Sequence, residues 1–421
     1  MQNRFGTFWM LLPALVIIIV DIYVYQAVRS SFSDSKSSTQ RIAFSIYWVL
    51  SSFTYIALFI LLVKGYANWH GWSKNIIVGL AQAVFIGKVL VLPFLLMDDI
   101  FRLFRWVFSF FGASSADIQP QGISRLQFLS RVGLAIGSFT FGAFVYGILR
   151  GAYNYQVKRI KLPVKNLPEE WKNVKIVQIS DLHLGSFADS SPVQKIVDLI
   201  NKEDADIVFF TGDLVNYASK EAEPHINILK NIQSKTRIYS ILGNHDYGTY
   251  VRWETEKEMH DNFQHLLDLQ RNQLGWDLLM DEHRILERNG KKLAVIGVQY
   301  IGHSLRFGKF GDLKKAYAGA ETADIQLLLS HDPSHWDHEV SQKAEFSAIN
   351  ATFAGHTHGF QFGIEIPGFK WSPSQYVYPH WAGLYKSANQ FLYVNRGAGF
   401  LGYPGRLGIS PEITVFQLTN I

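Results

Sequence analysis

The chain has 421 residues, 48% of them hydrophobic and only 18% charged, which is too long for one ordinary soluble domain and too apolar for intrinsic disorder. It has no cysteine, which removes disulfides, thiolate metal sites, iron–sulfur clusters and cysteine nucleophiles together. Residues 1–150 carry twelve Lys and Arg against five Asp, a net of +7, while the remainder nets −2, so the basic character is local and no nucleic-acid partner is expected.

Four runs in that first part are long and apolar, at 5–27, 42–63, 76–97 and 132–149. A bilayer core needs about 20 such residues in a helix. A cleaved signal peptide explains one of these runs and not four, so residues 1–150 read as a membrane region of about four transmembrane helices. Asp21 and Lys88 are costly at membrane depth and are expected to pair with one another or to sit near an interface. A conducting pathway needs more such groups. Gly133, Gly137, Gly142 and Gly147 on the last run favour close helix packing. Phe101 to Ser109, with Arg102, Arg105 and Ser109 on one helical face, reads either as a helix in the headgroup layer or as an extension of the third span.

An even number of spans puts the N-terminus and the C-terminal body on one side. The opposite side receives Arg29, Lys36 and Arg41 in one loop and Arg102, Arg105, Arg125 and Arg131 in another, which favours an extracytoplasmic body. Lys158, Arg159, Lys161 and Lys165, after the last span, argue the other way.

Residues 151–173 read as a linker, and 174–421 as one folded unit. In it, apolar runs at 175–180, 206–210, 237–242, 292–298, 325–329 and 351–354 predict strands, and 193–201 and 226–232 predict helices. Late segments 391–394 and 412–418 add strands. The fold class is α/β, with two packed sheets between helices.

The polar residues fall where these strands end. Asp181 and His183 follow the first, Asp213 the second, Asn244, His245 and Asp246 the third, His331 a later one, and His356 and His358 another. The carboxyl ends of strands line the ligand crevice of such folds. Each piece has a plainer reading: Asp181 as a strand-end cap, Gly212-Asp213 as a turn, Gly243 to Asp246 as a tight hairpin. Alternate imidazoles at a strand end, as at His356 and His358, rarely serve packing. Together, carboxylate, amide and imidazole donors suit Zn, Fe, Mn or Ni, and one shared carboxylate allows two ions.

The ordered blocks Asp181-Leu182-His183-Leu184-Gly185, Gly212-Asp213-Leu214-Val215-Asn216, Gly243-Asn244-His245-Asp246, Ser330-His331-Asp332-Pro333 and Gly355-His356-Thr357-His358-Gly359 resemble the signature of the calcineurin-like metallophosphoesterases. The nearest likeness is to the bacterial group of the YkuE and YaeI type, helped by Arg396-Gly397-Ala398-Gly399 and Arg406-Leu407-Gly408, over about residues 170–421. The resemblance implies an α/β/β/α sandwich and two divalent ions (Mn, Zn, Fe or Mg). It implies that Asp181, His183 and His358 bind one metal, that Asn244, His331 and His356 bind the other, and that Asp213 bridges. His245 then corresponds to the histidine that steadies the scissile phosphate or protonates the leaving oxygen, with Asp246 expected to orient it and raise its pKa.

The function so implied is hydrolysis of a phosphomonoester, phosphodiester or pyrophosphate by metal-activated hydroxide. A receptor or scaffold using the fold only for binding is the alternative, and a transporter reading rests on the spans alone. The expected partners are the bilayer and a phosphoester, lipid-linked or not; no protein partner is legible. The expected location is the inner membrane of a bacterium. Phe360 stands where relatives show a glycine, and Leu126 where a twin-arginine export motif has its second arginine. The aromatic stretch from Gly368 to Lys386 reads either as a wall over the metals or as a loop packed on the domain's own core.

Overall fold

The computed structural model describes residues 3–64, 69, 72–110, 123–303 and 308–420, with side chains from residue 12 onward. Apart from the short segment 70–73, one compact unit ends at Tyr146 and a second begins at Gly147.

The first unit is helical: α1 (Asn3–Ser31), α2 (Ser37–Lys64), α3 (Trp72–Val89), α4 (Leu92–Ser109) and α5 (Arg125–Leu149). Among the described residues they supply four stretches long and apolar enough to cross a membrane, α3 and α4 counting as one. The run expected as a single helix over 76–97 breaks at Leu90–Val91, because Pro93 in the first turn of α4 lacks an amide and disfavours helical backbone just before it. Phe101 to Ser109 is the second half of α4.

The helix of the last span, α5, is longer than its apolar run. Ser124 and Gln127 cap it reciprocally, the Gln127 amide donating to Ser124 Oγ at 3.2 Å and the Ser124 amide to Gln127 Oε1 at 2.8 Å. The segment compared with an export motif is thus the cap of α5. Small residues do set the packing: a Cβ on Gly137 would lie 2.5 Å from the Gly87 carbonyl. Asp21 and Lys88 pair, with Lys88 Nζ 2.7 Å from Asp21 Oδ1 and 2.6 Å from Ser51 Oγ. Tyr55 donates to the other Asp21 oxygen at 2.5 Å.

The second unit is a two-sheet sandwich. One sheet takes the order β1 (Gln156–Val164), β14 (Glu412–Asn420), β2 (Lys175–Ile179), β3 (Ile207–Phe210), β4 (Ile238–Ser240), β5 (Asp277–Leu278), antiparallel only at β14–β2. The other takes the order β12 (Gly383–Ser387), β13 (Gln390–Val394), β9 (Ala351–Ala354), β8 (Ile325–Leu329), β7 (Lys291–Gly297), β6 (Glu282–Arg288), antiparallel at its two rims. A separate hairpin pairs β10 (Ile364–Ile366) with β11 (Phe369–Trp371).

Side-chain alternation separates three apolar layers. Ile176, Ile207 and Phe209 meet Val295, Leu327 and Phe353 between the sheets. Val177, Val208 and Phe210 face outward onto α6 (Ser191–Asn201), whose Val193, Ile196, Val197 and Ile200 form one helical stripe. Ala294, Ile296 and Leu328 face the opposite way, onto Leu313, Ala316 and Trp336.

Residues 156–164 correct the expected linker. They form β1, paired in parallel with all nine residues of β14. Lys158, Arg159, Lys161 and Pro163 hid it, and an edge strand tolerates both charge and proline. The predicted helix over 226–232 shortens to Ile226–Leu229.

The buried pair in the first unit is directly testable. Lys88→Met strands the Asp21 carboxylate and is expected to cost about 3 kcal/mol, whereas Asp21→Asn with Lys88→Met restores most of it. Thermal unfolding of the detergent-solubilised chain reads both; equal losses would show that the pair carries no weight.

Candidate metal centre

The strands end on one rim of the sandwich, and the backbone there is unusual. Asp181, His183, Asp213, His356 and His358 all have positive φ, at 51°, 46°, 59°, 72° and 50°. Left-handed backbone disfavours side chains other than Gly, Asn and Asp by about 1–2 kcal/mol each, and such strain concentrates at functional sites. The neighbouring glycines are space-limited: a Cβ on Gly355 would fall 2.0 Å from Ser180 Oγ and 2.2 Å from an Asp181 oxygen. The sharp reversals turn side chains that would follow the sheet's alternation back over its edge.

Two donor groups result. In one, ligand atoms of Asp181, His183 and His358 lie within 4.8 Å of one another; in the other, those of Asp213, His331 and His356 do. His358 Nε2 is 3.0 Å from His183 Nε2 and 3.3 Å from Asp181 Oδ1. In the second group His356 Nδ1 is 2.8 Å from Asn244 Oδ1 and 3.3 Å from His331 Nε2. Asp213 joins them, its Oδ2 lying 3.5 Å from His183 Nε2 and 3.3 Å from His331 Nε2. All seven residues expected as ligands therefore converge.

Neighbours decide which atom of each ring faces inward. His331 Nδ1 donates to the Thr211 carbonyl at 2.6 Å, which leaves Nε2 as the inward donor atom. For His356 the reverse holds: Nε2 is 2.8 Å from Tyr378 Oη and 3.5 Å from Asp332 Oδ2, so Nδ1 faces the centre. Tyr300 donates to that Asp332 oxygen at 2.9 Å. The Asn244 amide group donates to Tyr250 Oη at 2.8 Å, which turns its carbonyl oxygen inward. Tyr250 also stacks on the His245 ring, with centroids 4.3 Å apart. Sequence reasoning missed Tyr250, Tyr300, Tyr378 and Asp332 as supports. Asp332, next to His331 in its block, and Tyr378, inside the aromatic stretch, carried a local signal.

The expected partnership of Asp246 with His245 is corrected. His245 Nδ1 donates instead to the Asn216 carbonyl at 2.7 Å, leaving Nε2 free to face the cavity. Asp246 is buried and accepts backbone amides of Asp213, Leu214 and Gly243 at 2.9, 2.8 and 2.9 Å. The tight turn after Gly243 carries Asp246 inward, away from the ring of its neighbour, so it clamps two ligand loops to each other. Nor is the His245 pKa raised: burial lowers it, against the pull of Asp213. Burial and the Asp213 charge raise Asp246 to about 7.

The field in the centre is divided. Burial opposes the charged form of His331, yet Asp213 raises that imidazole to about 10. Burial holds His183 down to about 3, neutral as a ligand must be. Two imidazole nitrogens 3.0 Å apart, as in His183 and His358, repel unless a proton or a cation lies between them. Carboxylate, amide and imidazole donors facing one another in two joined groups fit a pair of divalent cations.

A cavity of about 400 Å³ opens over these residues, with Phe360, Gln361, Tyr378, Leu401 and Tyr403 on its walls. The aromatic stretch is split between its two readings: Trp381 is buried in the domain, Tyr378 meets His356, and Tyr376 and Val377 are exposed. Arg396 is tied up by Glu412 at 2.5 Å and Glu365 at 2.8 Å. Arg406 is buried and donates to the Arg396, Gly397 and Gly399 carbonyls, bracing the loop beside His358 rather than forming an ion pair.

Comparison with known proteins agrees with this geometry. Residues 174–360 match the family described as "Calcineurin-like phosphoesterase", and residues 3–152 match the "Probable Calcineurin-like phosphoesterase, transmembrane domain". A "Transmembrane protein with metallophosphoesterase domain" of Danio rerio is 28% identical over 64% of this chain and 59% of its own length. Its counterpart in Bos taurus is 27% identical over 64% of this chain and 58% of its own length. This chain therefore spans less than two thirds of either relative. The "Uncharacterized metallophosphoesterase YkuE" of Bacillus subtilis is 26% identical over 71% of this chain and 98% of its own length. In keeping with the strand-end donor rim and the four membrane-capable helices, residues 174–360 thus match a calcineurin-like phosphoesterase domain and residues 3–152 the transmembrane domain described for such phosphoesterases.

Proposed function

We propose that the chain hydrolyses a phosphoester at a two-metal centre. Asp181, His183 and His358 hold one ion, Asn244, His331 and His356 the other, and Asp213 is shared. The observation that carries this reading is the placement of Asp213 Oδ2 between His183 and His331, at 3.5 and 3.3 Å. Two divalent ions there supply Lewis-acid charge for phosphoryl oxygens and lower the pKa of water toward ~7.

The protein's own groups do the rest. His245 presents Nε2 to the cavity with Nδ1–H locked on the Asn216 carbonyl, so a proton taken up at Nε2 from water would be placed to pass to the departing oxygen. Tyr250 holds both the His245 ring and the Asn244 amide, coupling the acid to the second metal group. Asp246 keeps the Asp213 and Gly243 loops in register. A receptor or scaffold that only binds has no use for a histidine so oriented.

The cavity's rim supports a lipid-linked substrate. Phe360 is exposed on its wall, and Ile364, Ile366 and Phe369 on the hairpin that follows it in the chain and Tyr376 and Val377, adjacent in sequence to the wall residue Tyr378, are exposed as well. Exposed apolar side chains on the segments that follow a polar site's wall residues suit a substrate with a phosphate head and a hydrocarbon body. We place this domain outside the cytoplasm of a bacterium, at the inner membrane, on the arginine-rich loops of the opposite side.

Purified full-length chain is expected to hold about two divalent ions and to cleave bis(p-nitrophenyl) phosphate with added Mn or Zn. Asp213→Ala should lose the metal, while His245→Ala keeps it and loses about 10²–10³ in kcat. Metal analysis beside steady-state kinetics separates the two roles, and normal turnover in both variants would overturn them. Asp246→Asn leaves one acceptor oxygen for the four backbone amides of Asp213, Leu214, Val215 and Gly243 and should lower the melting temperature and the metal content together. Because the chain lacks cysteine, Ser347→Cys creates a single label site in the second unit. Its reaction with a membrane-impermeant maleimide in intact cells is expected, and labelling only after lysis would reverse the orientation.

A further inference from the structure

The first unit contains a groove of about 640 Å³ between α1, α2 and α5. Its two ends differ chemically. At the α1–α2 turn stand Ser31, Ser35 and Arg131. The Arg131 guanidinium donates to the Ser31 carbonyl at 3.3 and 3.4 Å and has no carboxylate partner among the described residues. Ser31 is only 7% exposed, and its hydroxyl has no hydrogen-bond partner among the described residues. Asp34, the acid nearest in sequence, faces Ser33 and Gln127 instead.

Away from this end the groove turns apolar, along Ile46 and Leu50 of α2 and Leu134 of α5. From Arg131 to Ser138, both on its wall, α5 rises about 10 Å. A smaller cavity of about 110 Å³ shares Tyr47, Leu50, Leu134 and Ser138 and reaches Lys88. Lys88 is already matched by Asp21, so Arg131 is the cation at this groove without a matching acid among the described residues.

An arginine near the end of a membrane helix demands an anion, and its planar fork matches phosphate oxygens. Charge at one end and hydrocarbon wall beyond it describe the complement of an amphiphile. We propose that this groove binds one anionic phospholipid, its phosphate on Arg131 and the Ser31 hydroxyl and one acyl chain along Ile46, Leu50 and Leu134. The site is separate from the metal centre and does not depend on its chemistry.

The test uses full-length chain in detergent, titrated with phosphatidylglycerol and read by native mass spectrometry. One lipid per chain is expected, with diacylglycerol of the same chains binding about tenfold more weakly and inorganic phosphate not retained. Arg131→Gln should weaken phosphatidylglycerol about tenfold. Arg29→Gln, the same charge change outside the groove, should leave binding unchanged. Leu134→Trp fills the groove while keeping Arg131 and should abolish binding. Wild-type binding by Arg131→Gln or by Leu134→Trp would overturn the site. So would equal losses in Arg29→Gln and Arg131→Gln, or diacylglycerol binding as well as phosphatidylglycerol.

Discussion

The position of one carboxylate organises the second unit. Asp213 must sit between two imidazoles that come from different sheets, His183 after β2 and His331 after β8. A charge there is costly to bury, so the chain surrounds it: the His245 amide donates to its other oxygen at 2.9 Å, and Asp246 pins its backbone. Each donor group draws on both sheets, Asp181 and His183 meeting His358 and Asp213 meeting His331 and His356, and that clamp holds the two groups against each other. With it, the crevice at the top of the sandwich becomes one site.

The sandwich below is built to hold that rim still. The layer between the sheets is apolar, but Gln178 crosses it directly under the site, donating to Thr211 Oγ1 at 3.0 Å and to the Ala354 carbonyl at 2.9 Å. It thereby ties the ends of β2, β3 and β9, the strands that deliver Asp181, Asp213 and His356. Five left-handed residues in the two donor groups are a local cost that such a rigid base can sustain. The helical unit handles polarity in the same way, by enclosing Asp21 and Lys88 together with Ser51 and Tyr55.

Much of this was legible in residue order. Apolar runs placed β2, β3, β7, β8 and β9 to within about a residue at each end, since buried central strands are continuous in sequence. Edge strands are not: β1 reads as a linker and Glu282–Arg288 carries no strand signal, because an exposed rim strand is as charged as a loop. Membrane spans were visible as apolar mass, yet their ends shifted where Pro93 interrupts one and Ser124 caps another.

The candidate donors are legible in the sequence alone, since carboxylate, amide and imidazole groups at successive strand ends are the residue types that suit hard and borderline cations. What each neighbour does was decided by tertiary structure. Asp246 and His245 are adjacent in the chain, so proximity in sequence suggested a pair. The turn through Gly243 sends one side chain into the loop backbones and the other into the cavity, and gives the His245 proton to the Asn216 carbonyl. Tyr250 lies only six residues beyond Asn244, and Tyr300 and Tyr378 lie 32 and 22 residues from the groups they meet, yet no spacing marks any of them, because a supporting hydrogen bond depends on where a hydroxyl arrives in space, and periodicity along the chain does not encode that.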